Sequence, residues 1–176
     1  MHLSLRGELR APDCGASRKV DGMAKTILAP IPGKAVPLSS VPDPVFSQGM
    51  VGCGAAIVPP QQVVTAVAPI SGTIVQLHPH AFAIADADEF GVLVHLGIDT
   101  VNLKGEGFTT LAKVGDVVTA GQPIVKYDVP FIVSKGLNPI TPVVATAEFD
   151  AANIHPGAEL AAQGAIQPGA PLFSTP

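Results

Sequence analysis

Three of the five histidines lie close together in the sequence and are the side chains best suited to chemistry: His78, His80 and His95. A neutral imidazole has one nitrogen with a free lone pair and another that donates a hydrogen bond. The ring can therefore act as a nucleophile, as a proton carrier or as a metal ligand. The spacing alone leaves these uses open, and a core histidine with both nitrogens hydrogen-bonded is also compatible with it.

Hydrophobic alternation around His95 predicts a short β-strand. Leu93 and His95 fall on one face of this strand, and its two valines and Leu96 fall on the other. Such a histidine can belong to the core, or it can face a site. The glycine at position 97 favours a site, because the backbone of a glycine can approach the ring closely.

The elements that must position these histidines are predicted to be short strands joined by turns. The chain has 18 Gly, 18 Pro and no Trp, and its apolar segments are rich in Val and Ile, which favours an all-β fold over a helical bundle. The predicted strands are Gly33–Pro37, Ala55–Val58, Val63–Val67, Thr73–Leu77, Ala81–Ala85, Val92–Leu96, Phe108–Leu111, Ile124–Tyr127 and Val143–Thr146. Short turns are predicted at Asp43–Gln48 and at Pro130–Lys135.

Two segments resemble each other, namely Gly115-Asp-Val-Val-Thr-Ala-Gly-Gln-Pro-Ile and Gly164-Ala-Ile-Gln-Pro-Gly-Ala-Pro-Leu. Each one reads as a turn glycine, a strand, a second turn glycine and another strand. A pseudo-repeated β fold would produce this pattern, and so would a coincidence of turn residues.

The composition excludes several classes of function. A net charge of −4 speaks against a surface that binds nucleic acid or an anionic membrane. Pro, Gly or a charge interrupts every apolar run, so we expect no insertion into a membrane. The two cysteines, Cys14 and Cys53, do not form a metal-type cluster or a disulfide framework. We expect a cytoplasmic protein with reduced cysteines.

Residues 1–26 differ from the remainder, because they mix basic residues with Pro and Gly and show no period of a helix or a strand. We interpret them as a disordered or non-native N-terminal extension, with Met23 as a plausible natural start. Residues 27–176 are expected to form a single domain, since the chain has room for one core.

A longer motif points to a known family. The run His95-Leu-Gly-Ile-Asp-Thr-Val-Asn-Leu-Lys-Gly-Glu-Gly-Phe closely resembles the active-site stretch of the glucose-type enzyme IIA components of the phosphoenolpyruvate-dependent sugar phosphotransferase system. The likeness covers Ile27 to the C-terminus, and Leu77-His-Pro-His-Ala-Phe resembles the actinobacterial branch. Three further motifs match in the same order: Val41-Pro-Asp-Pro-Val-Phe-Ser, His80-Ala-Phe and Ile140-Thr-Pro-Val-Val.

The resemblance implies a fold and a set of site residues. The fold would be a β-sandwich of short, mostly antiparallel strands, pseudo-repeated and related to the biotinyl and lipoyl carrier domains (the barrel-sandwich hybrid). His95 would accept a phosphoryl group, with His80 as the second active-site histidine and Asp43 and Asp99 flanking the site. Nδ1 of His95 would donate to the carbonyl of Gly97 and leave Nε2 as the nucleophile.

The resemblance also implies an activity and partners. The chain would be a phosphotransferase intermediate that receives phosphate from the carrier protein HPr and passes it to a cysteine on the IIB domain of a sugar permease. Some family members also bind and regulate other proteins. No cofactor is required, although His80 and His95 are expected to bind zinc weakly and adventitiously.

The sequence departs from the family at two positions. Many relatives have Gly-Asp-Gly where this chain has Gly52-Cys-Gly54, so a small buried cysteine replaces a carboxylate. His78 falls near a position where a small hydroxyl residue assists the second histidine in some relatives. The hydrogen-bond partner of His80 is therefore an open question.

Two other functions stay open at this stage. Ala68-Pro-Ile-Ser-Gly-Thr-Ile resembles part of a biotinyl or lipoyl carrier, but Lys104 and Lys113 do not lie in the motif that carries the cofactor in such domains. A zinc-dependent hydrolase would take its nitrogen ligands from the histidine cluster. It would also need an upstream histidine, and His2 is the only one before the cluster.

Overall fold

The computed structural model describes residues 24–48, 51–146 and 154–175. In these ranges the chain forms a β-sandwich of short antiparallel strands, which confirms the predicted all-β class. The strands are β1 (Thr26–Leu28), β2 (Gly33–Pro37), β3 (Cys53–Val58), β4 (Val63–Val67), β5 (Gly72–His78), β6 (Ala81–Ala85), β7 (Gly91–His95), β8 (Phe108–Thr110), β9 (Val117–Val118), β10 (Pro123–Asp128), β11 (Thr141–Ala145), β12 (His155–Pro156), β13 (Ala165–Ile166) and β14 (Pro171–Ser174). The helices are α1 (Pro44–Ser47), α2 (Val129–Ser134) and α3 (Ala158–Ala162), with 3₁₀ turns at Leu38–Ser40 and Thr100–Leu103.

Three sheets share one main core. The largest has eight strands in the order β13-β2-β3-β11-β7-β6-β5-β9, and the two smaller sheets have the orders β1-β14-β12 and β4-β10-β8. Ile27 of β1, Phe82 of β6 and Val125 of β10 belong to different sheets, and each is 0% exposed in this core. Burial of apolar side chains between the sheets is what holds these short strands together, because strands of this length are not stable alone.

All nine predicted strands are present, with ends that shift by no more than a few residues. The two predicted turns coincide with α1 and α2 to within one residue. Strands β9, β13 and β14 fall in the two resembling segments, and the elements absent from the prediction are β1, β12, α3 and the two 3₁₀ turns. Helix α3 has a single buried side chain, Leu160, so its sequence contains no helical period that could be recognised.

The two resembling segments occupy equivalent places at opposite ends of the eight-stranded sheet. The first supplies the edge strand β9 followed by Gly121, and the second supplies the edge strand β13 followed by Gly169. The N–H of Gly121 donates to the carbonyl of Ala68 at 2.8 Å, and the N–H of Gly169 donates to the carbonyl of Ala29 at 2.9 Å. Two matching hydrogen bonds at matching positions indicate a genuine internal repeat.

The segments that precede β2 and β5 form a second pair of resembling segments. Both contain Ala-Pro-Ile, and they bond to each other reciprocally: Leu28 N–H donates to Pro69 O at 3.0 Å, and Val67 N–H donates to Pro30 O at 2.8 Å. These two hydrogen bonds join the two halves of the repeat. The pseudo-repeated architecture is therefore visible in the hydrogen bonding.

Cys53 begins β3 and is 1% exposed, as expected for a small buried residue. It is disulfide-bonded, so the expectation of reduced cysteines is wrong at this position.

Residues 1–23 of the predicted N-terminal extension, 1–26, lie outside the described residues. The interpretation of this extension therefore stays a prediction. Of its last residues, Lys25 forms ion pairs with Asp86 at 2.9 Å and Asp88 at 2.7 Å, and Thr26 begins β1. The assignment of 27–176 to one domain also stays a prediction. Within the described ranges, no helix is long and apolar enough to cross a membrane.

Candidate functional site

Strand β7 and the β5–β6 hairpin bring two histidines together. His95 ends β7 and has Ala81 as its register partner in β6. His80 immediately precedes Ala81 in the hairpin loop, and its carbonyl accepts the N–H of Leu96 at 2.7 Å. The ring centroids of His80 and His95 are 5.2 Å apart, with an angle of 68° between the ring planes. Backbone pairing thus holds the two imidazoles edge to face.

The predicted alternation in β7 is observed. Val92, Val94 and Leu96 are 0% exposed, whereas Leu93 and His95 are half-buried on the opposite face. The ring of His95 therefore lies on the face of β7 opposite the main core.

Nδ1 of His95 is hydrogen-bonded to the carbonyl oxygen of Gly97. A carbonyl can only accept, so Nδ1 must carry the proton, and in the neutral ring the lone pair is on Nε2. Gly97 has φ +83°, and a Cβ built on it would lie 2.6 Å from Cγ2 of Thr100. Only glycine fits this position without strain or collision.

The loop after Gly97 is fixed by bonds to its neighbours. Thr100 is fully buried, and its hydroxyl donates to the carbonyl of Leu96 at 2.8 Å. Ile98 N–H donates to the carbonyl of Asn138 at 2.9 Å. The carbonyl that receives the His95 bond therefore belongs to a rigid loop.

Asp43 and Asp99 both lie close enough to His95 to act on it electrostatically. Asp43 is the N-cap of α1, and its Oδ1 accepts the N–H of Val45 at 2.9 Å. Asp99 is exposed at φ +59°, and its side chain makes no capping hydrogen bond. Asp43 therefore has a structural role besides any role at the site, whereas the Asp99 side chain forms no such cap.

Burial lowers the pKa of His95 below its ordinary value, while the hydrogen bond to Gly97 and the charges of Asp43 and Asp99 oppose that shift. Burial is also the main cause that lowers the pKa of His80 to about 4, with smaller contributions from His95 and His78. Both rings are therefore neutral at pH 7, which is the form a nucleophile requires.

Two aromatic contacts at the site were not predicted from the sequence. The ring of Phe46 in α1 lies 5.3 Å from the ring of His95, centroid to centroid. The ring of His78 stacks on that of His80 at 5.7 Å, with an angle of 23° between the planes. The available signals were the position of Phe46 within the Asp43 motif and the His-Pro-His spacing, neither of which defines a ring contact.

In the part of the chain that the structure describes, no group of three or more His, Cys, Asp or Glu side chains could hold a metal ion. Within those residues the zinc-hydrolase alternative gains no support from a set of three ligands. Weak zinc binding by His80 and His95 stays a prediction.

The structure thus brings together the five site residues predicted from the sequence: His95, His80, Gly97, Asp43 and Asp99. They come from three separate segments, which are α1, the hairpin loop and the end of β7 with its following loop.

Comparison with known proteins agrees with this arrangement. Residues 25–150 match the model of the family described as phosphoenolpyruvate-dependent sugar phosphotransferase system, EIIA 1. The chain is 40% identical over 121 residues to the glucose-specific EIIA component of Oceanobacillus iheyensis, covering 68% of this chain and 72% of that protein. It is 44% identical over 135 residues to the mannose-specific EIIBCA component of Corynebacterium glutamicum, covering 77% of this chain but only 19% of that longer protein.

A solved structure gives the same result. The chain superimposes on the glucose permease IIA of Mycoplasma capricolum with a TM-score of 0.67 and 33% identity, covering 72% of this chain and 82% of that one. The family match spans strands β1 to β11 and all five candidate site residues. The chain therefore belongs to the EIIA 1 family of the phosphoenolpyruvate-dependent sugar phosphotransferase system.

Proposed function

We propose that this chain is a phosphoryl carrier and that Nε2 of His95 is the atom that accepts the phosphoryl group. The observation that supports this most strongly is the hydrogen bond between Nδ1 of His95 and the carbonyl of Gly97. It selects one tautomer and leaves the other nitrogen as the nucleophile, next to a second neutral imidazole.

The transfer requires positioning more than covalent chemistry. The lone pair of Nε2 attacks the phosphorus of a phosphohistidine on the donor, a new P–N bond forms, and the P–N bond of the donor breaks. The proton on Nδ1 of His95 stays in place, and the Gly97 carbonyl stabilises the positive charge that develops on the ring. The group moves between side chains in every step, so the proposal includes no cofactor.

His80 is suited to bind the transferred group. Its ring lies next to His95, and within the described ranges no hydrogen bond engages either of its nitrogens. The N–H of the neutral ring can therefore donate to a phosphoryl oxygen. This interaction would orient the group and compensate its charge as it leaves for the next acceptor.

Asp43 and Asp99 would repel the phosphoryl group, whereas His80 would bind it. Burial lowers the pKa of His95, and the charges of Asp43 and Asp99 oppose that shift, which supports an electrostatic influence on this ring. A phosphoryl group on His95 would feel the same two charges as repulsion. We propose that this repulsion helps the phosphorylated protein leave its donor.

The partners follow from the family and from the domain composition of relatives. HPr is the proposed donor. The proposed acceptor is a IIB-domain cysteine, because relatives of Corynebacterium glutamicum and Staphylococcus carnosus combine an A part with B and C parts in one protein, as their names EIIBCA and EIICBA state. This exchange would take place in the cytoplasm, and regulatory binding to other proteins is a companion role.

The test is reconstitution with phosphoenolpyruvate, enzyme I and HPr, followed by measurement of acid-labile phosphate on the chain. Wild type and His155→Ala should be labelled equally, because His155 is an exposed histidine in β12 outside the site. Labelling of His95→Ala should be absent. Undiminished labelling of His95→Ala would refute the assignment.

A further inference from the structure

We propose that His78 is a positioning residue for phosphoryl transfer and that it acts by stacking its ring on that of His80. This inference rests on the proposed function, because it concerns the orientation of the ring that would bind the phosphoryl group. Its physical basis is a ring contact that does not depend on the presence of phosphate.

The β5–β6 hairpin places the two rings side by side. His78 ends β5 and pairs with Ala81 of β6, so Pro79 and His80 form the connecting loop. The ring centroids of His78 and His80 are 5.7 Å apart and their planes differ by 23°, which is an offset stacked arrangement. His78 itself is exposed, so its ring shields one face of His80 from solvent.

The backbone of this loop is already held by other contacts. Pro79 has a restricted φ. The carbonyl of His80 accepts the N–H of Leu96 at 2.7 Å. Gly105 has φ +92°, and a Cβ built on it would lie 3.4 Å from Cγ of Pro79, so its backbone passes close to the proline ring.

The contacts that hold the loop backbone do not fix the orientation of the His80 side chain. In the described part of the chain, no hydrogen bond restrains its ring. Its ring contacts there are the edge-to-face contact with His95 and the stack on His78. Removing His78 would leave the ring with one of these two contacts. The sequence did not identify a hydrogen-bond partner for His80. In the structure, the stack on His78 orients the ring instead.

The size of the effect follows from the strength of aromatic stacking. Stacking lowers the free energy of such a pair by an amount that corresponds to about a two- to twelvefold higher population of the aligned ring. Transfer of the phosphoryl group from His95 to a IIB domain should slow by the same factor when the stack is lost. A ring without titratable nitrogens should restore the rate if it can stack.

The experiment compares His78→Ala with His78→Phe and uses His155→Ala as the control for losing an exposed histidine. Single-turnover transfer to a IIB domain should slow about two- to twelvefold in His78→Ala. His78→Phe should stay within about twofold of wild type, and His155→Ala should be unchanged. A wild-type rate in His78→Ala would overturn the proposal, and so would a rate in His78→Phe as low as that in His78→Ala.

A second measurement separates this inference from the proposed function. NMR spectra of histidine-labelled, unphosphorylated protein should show cross-relaxation between the rings of His78 and His80. The His80 signals should shift in His78→Ala but not in His155→Ala. Absence of ring contact in a chain that accepts phosphate would refute the positioning role of His78 alone. A wild-type chain that retains the contact but accepts no phosphate would refute the phosphoryl-carrier assignment, and with it the transfer role of His78, while the stack itself would stand.

Discussion

Gly97 determines which nitrogen of His95 is free. Its left-handed backbone, at φ +83°, turns its own carbonyl back towards Nδ1 of the ring two residues earlier. Any residue with a side chain would be strained in this conformation, and its Cβ would also meet Cγ2 of Thr100 at 2.6 Å. Backbone conformation and tautomer are therefore linked at this position.

The first prediction tests that link with Gly97→Ala. The variant should lose stability through both backbone strain, about 1–2 kcal/mol, and collision with Thr100, about 1–3 kcal/mol. Gly136→Ala is the matched control, because Gly136 has φ +75° and nothing within 4 Å of its Cβ position. Urea unfolding should show a clearly larger loss for Gly97→Ala, and phosphate acceptance should fall only in that variant. Equal losses would mean that the contacts around Gly97 do not matter.

The second prediction concerns Asp43→Asn. Asparagine can cap a helix as well as aspartate, so α1 and the fold should be retained while the charge next to His95 is removed. The phosphorylated variant should bind HPr up to about fivefold more tightly, relative to its unphosphorylated form, than wild type does. High salt should reduce this difference, since the site is open to solvent. Equal affinities of the two forms in both proteins at low salt would reduce Asp43 to a capping residue.

His80→Gln should affect the two transfer steps unequally. His95 keeps its nucleophilic nitrogen, so acceptance from HPr should persist. Onward transfer to a IIB domain should slow by about a hundredfold, because the Gln amide can donate a hydrogen bond but lacks the ring contacts that orient the imidazole N–H towards the phosphoryl oxygens. Rapid-quench measurement of the two steps tests this prediction. A wild-type rate of onward transfer would show that His80 has no part in it.

Stability should depend on pH below neutrality. The pKa values of His80 and His95 are lowered in the folded protein, so folding favours their neutral forms. That stabilising effect is fully present above the unfolded pKa of about 6.5 and is lost as the pH falls towards the folded pKa of His80, about 4. The urea midpoint should therefore fall between pH 7 and pH 4.5, and by less in His80→Gln. An identical fall in His80→Gln and in a His155→Gln control would contradict this account.

Much of this site could be predicted from the sequence because it depends on local patterns. Alternation around His95 predicts a strand with that side chain on the face opposite Val92 and Val94, and the Asp43 and His95 motifs mark the flanking residues. The repeat was visible because its turn glycines, such as Gly121 and Gly169, occupy matching positions.

The aromatic contacts required the structure. The positions of Phe46 and His78 relative to the site are set by helix α1 and by the hairpin loop, and ring orientation depends on how these elements pack. The short elements β12 and α3 were also missed, because two to five residues with at most one buried side chain contain no readable period. Cys53 was expected to be reduced, and the spacing of two cysteines alone does not reveal a disulfide.

The most direct test of the central claim is NMR of ¹⁵N-histidine-labelled protein after phosphorylation by enzyme I and HPr. The account predicts one phosphohistidine, at His95, with phosphorus coupled to Nε2 and the proton retained on Nδ1 towards Gly97. The signals of His155 should not change. Phosphorus bonded to Nδ1 of His95, or to any other residue, would contradict it.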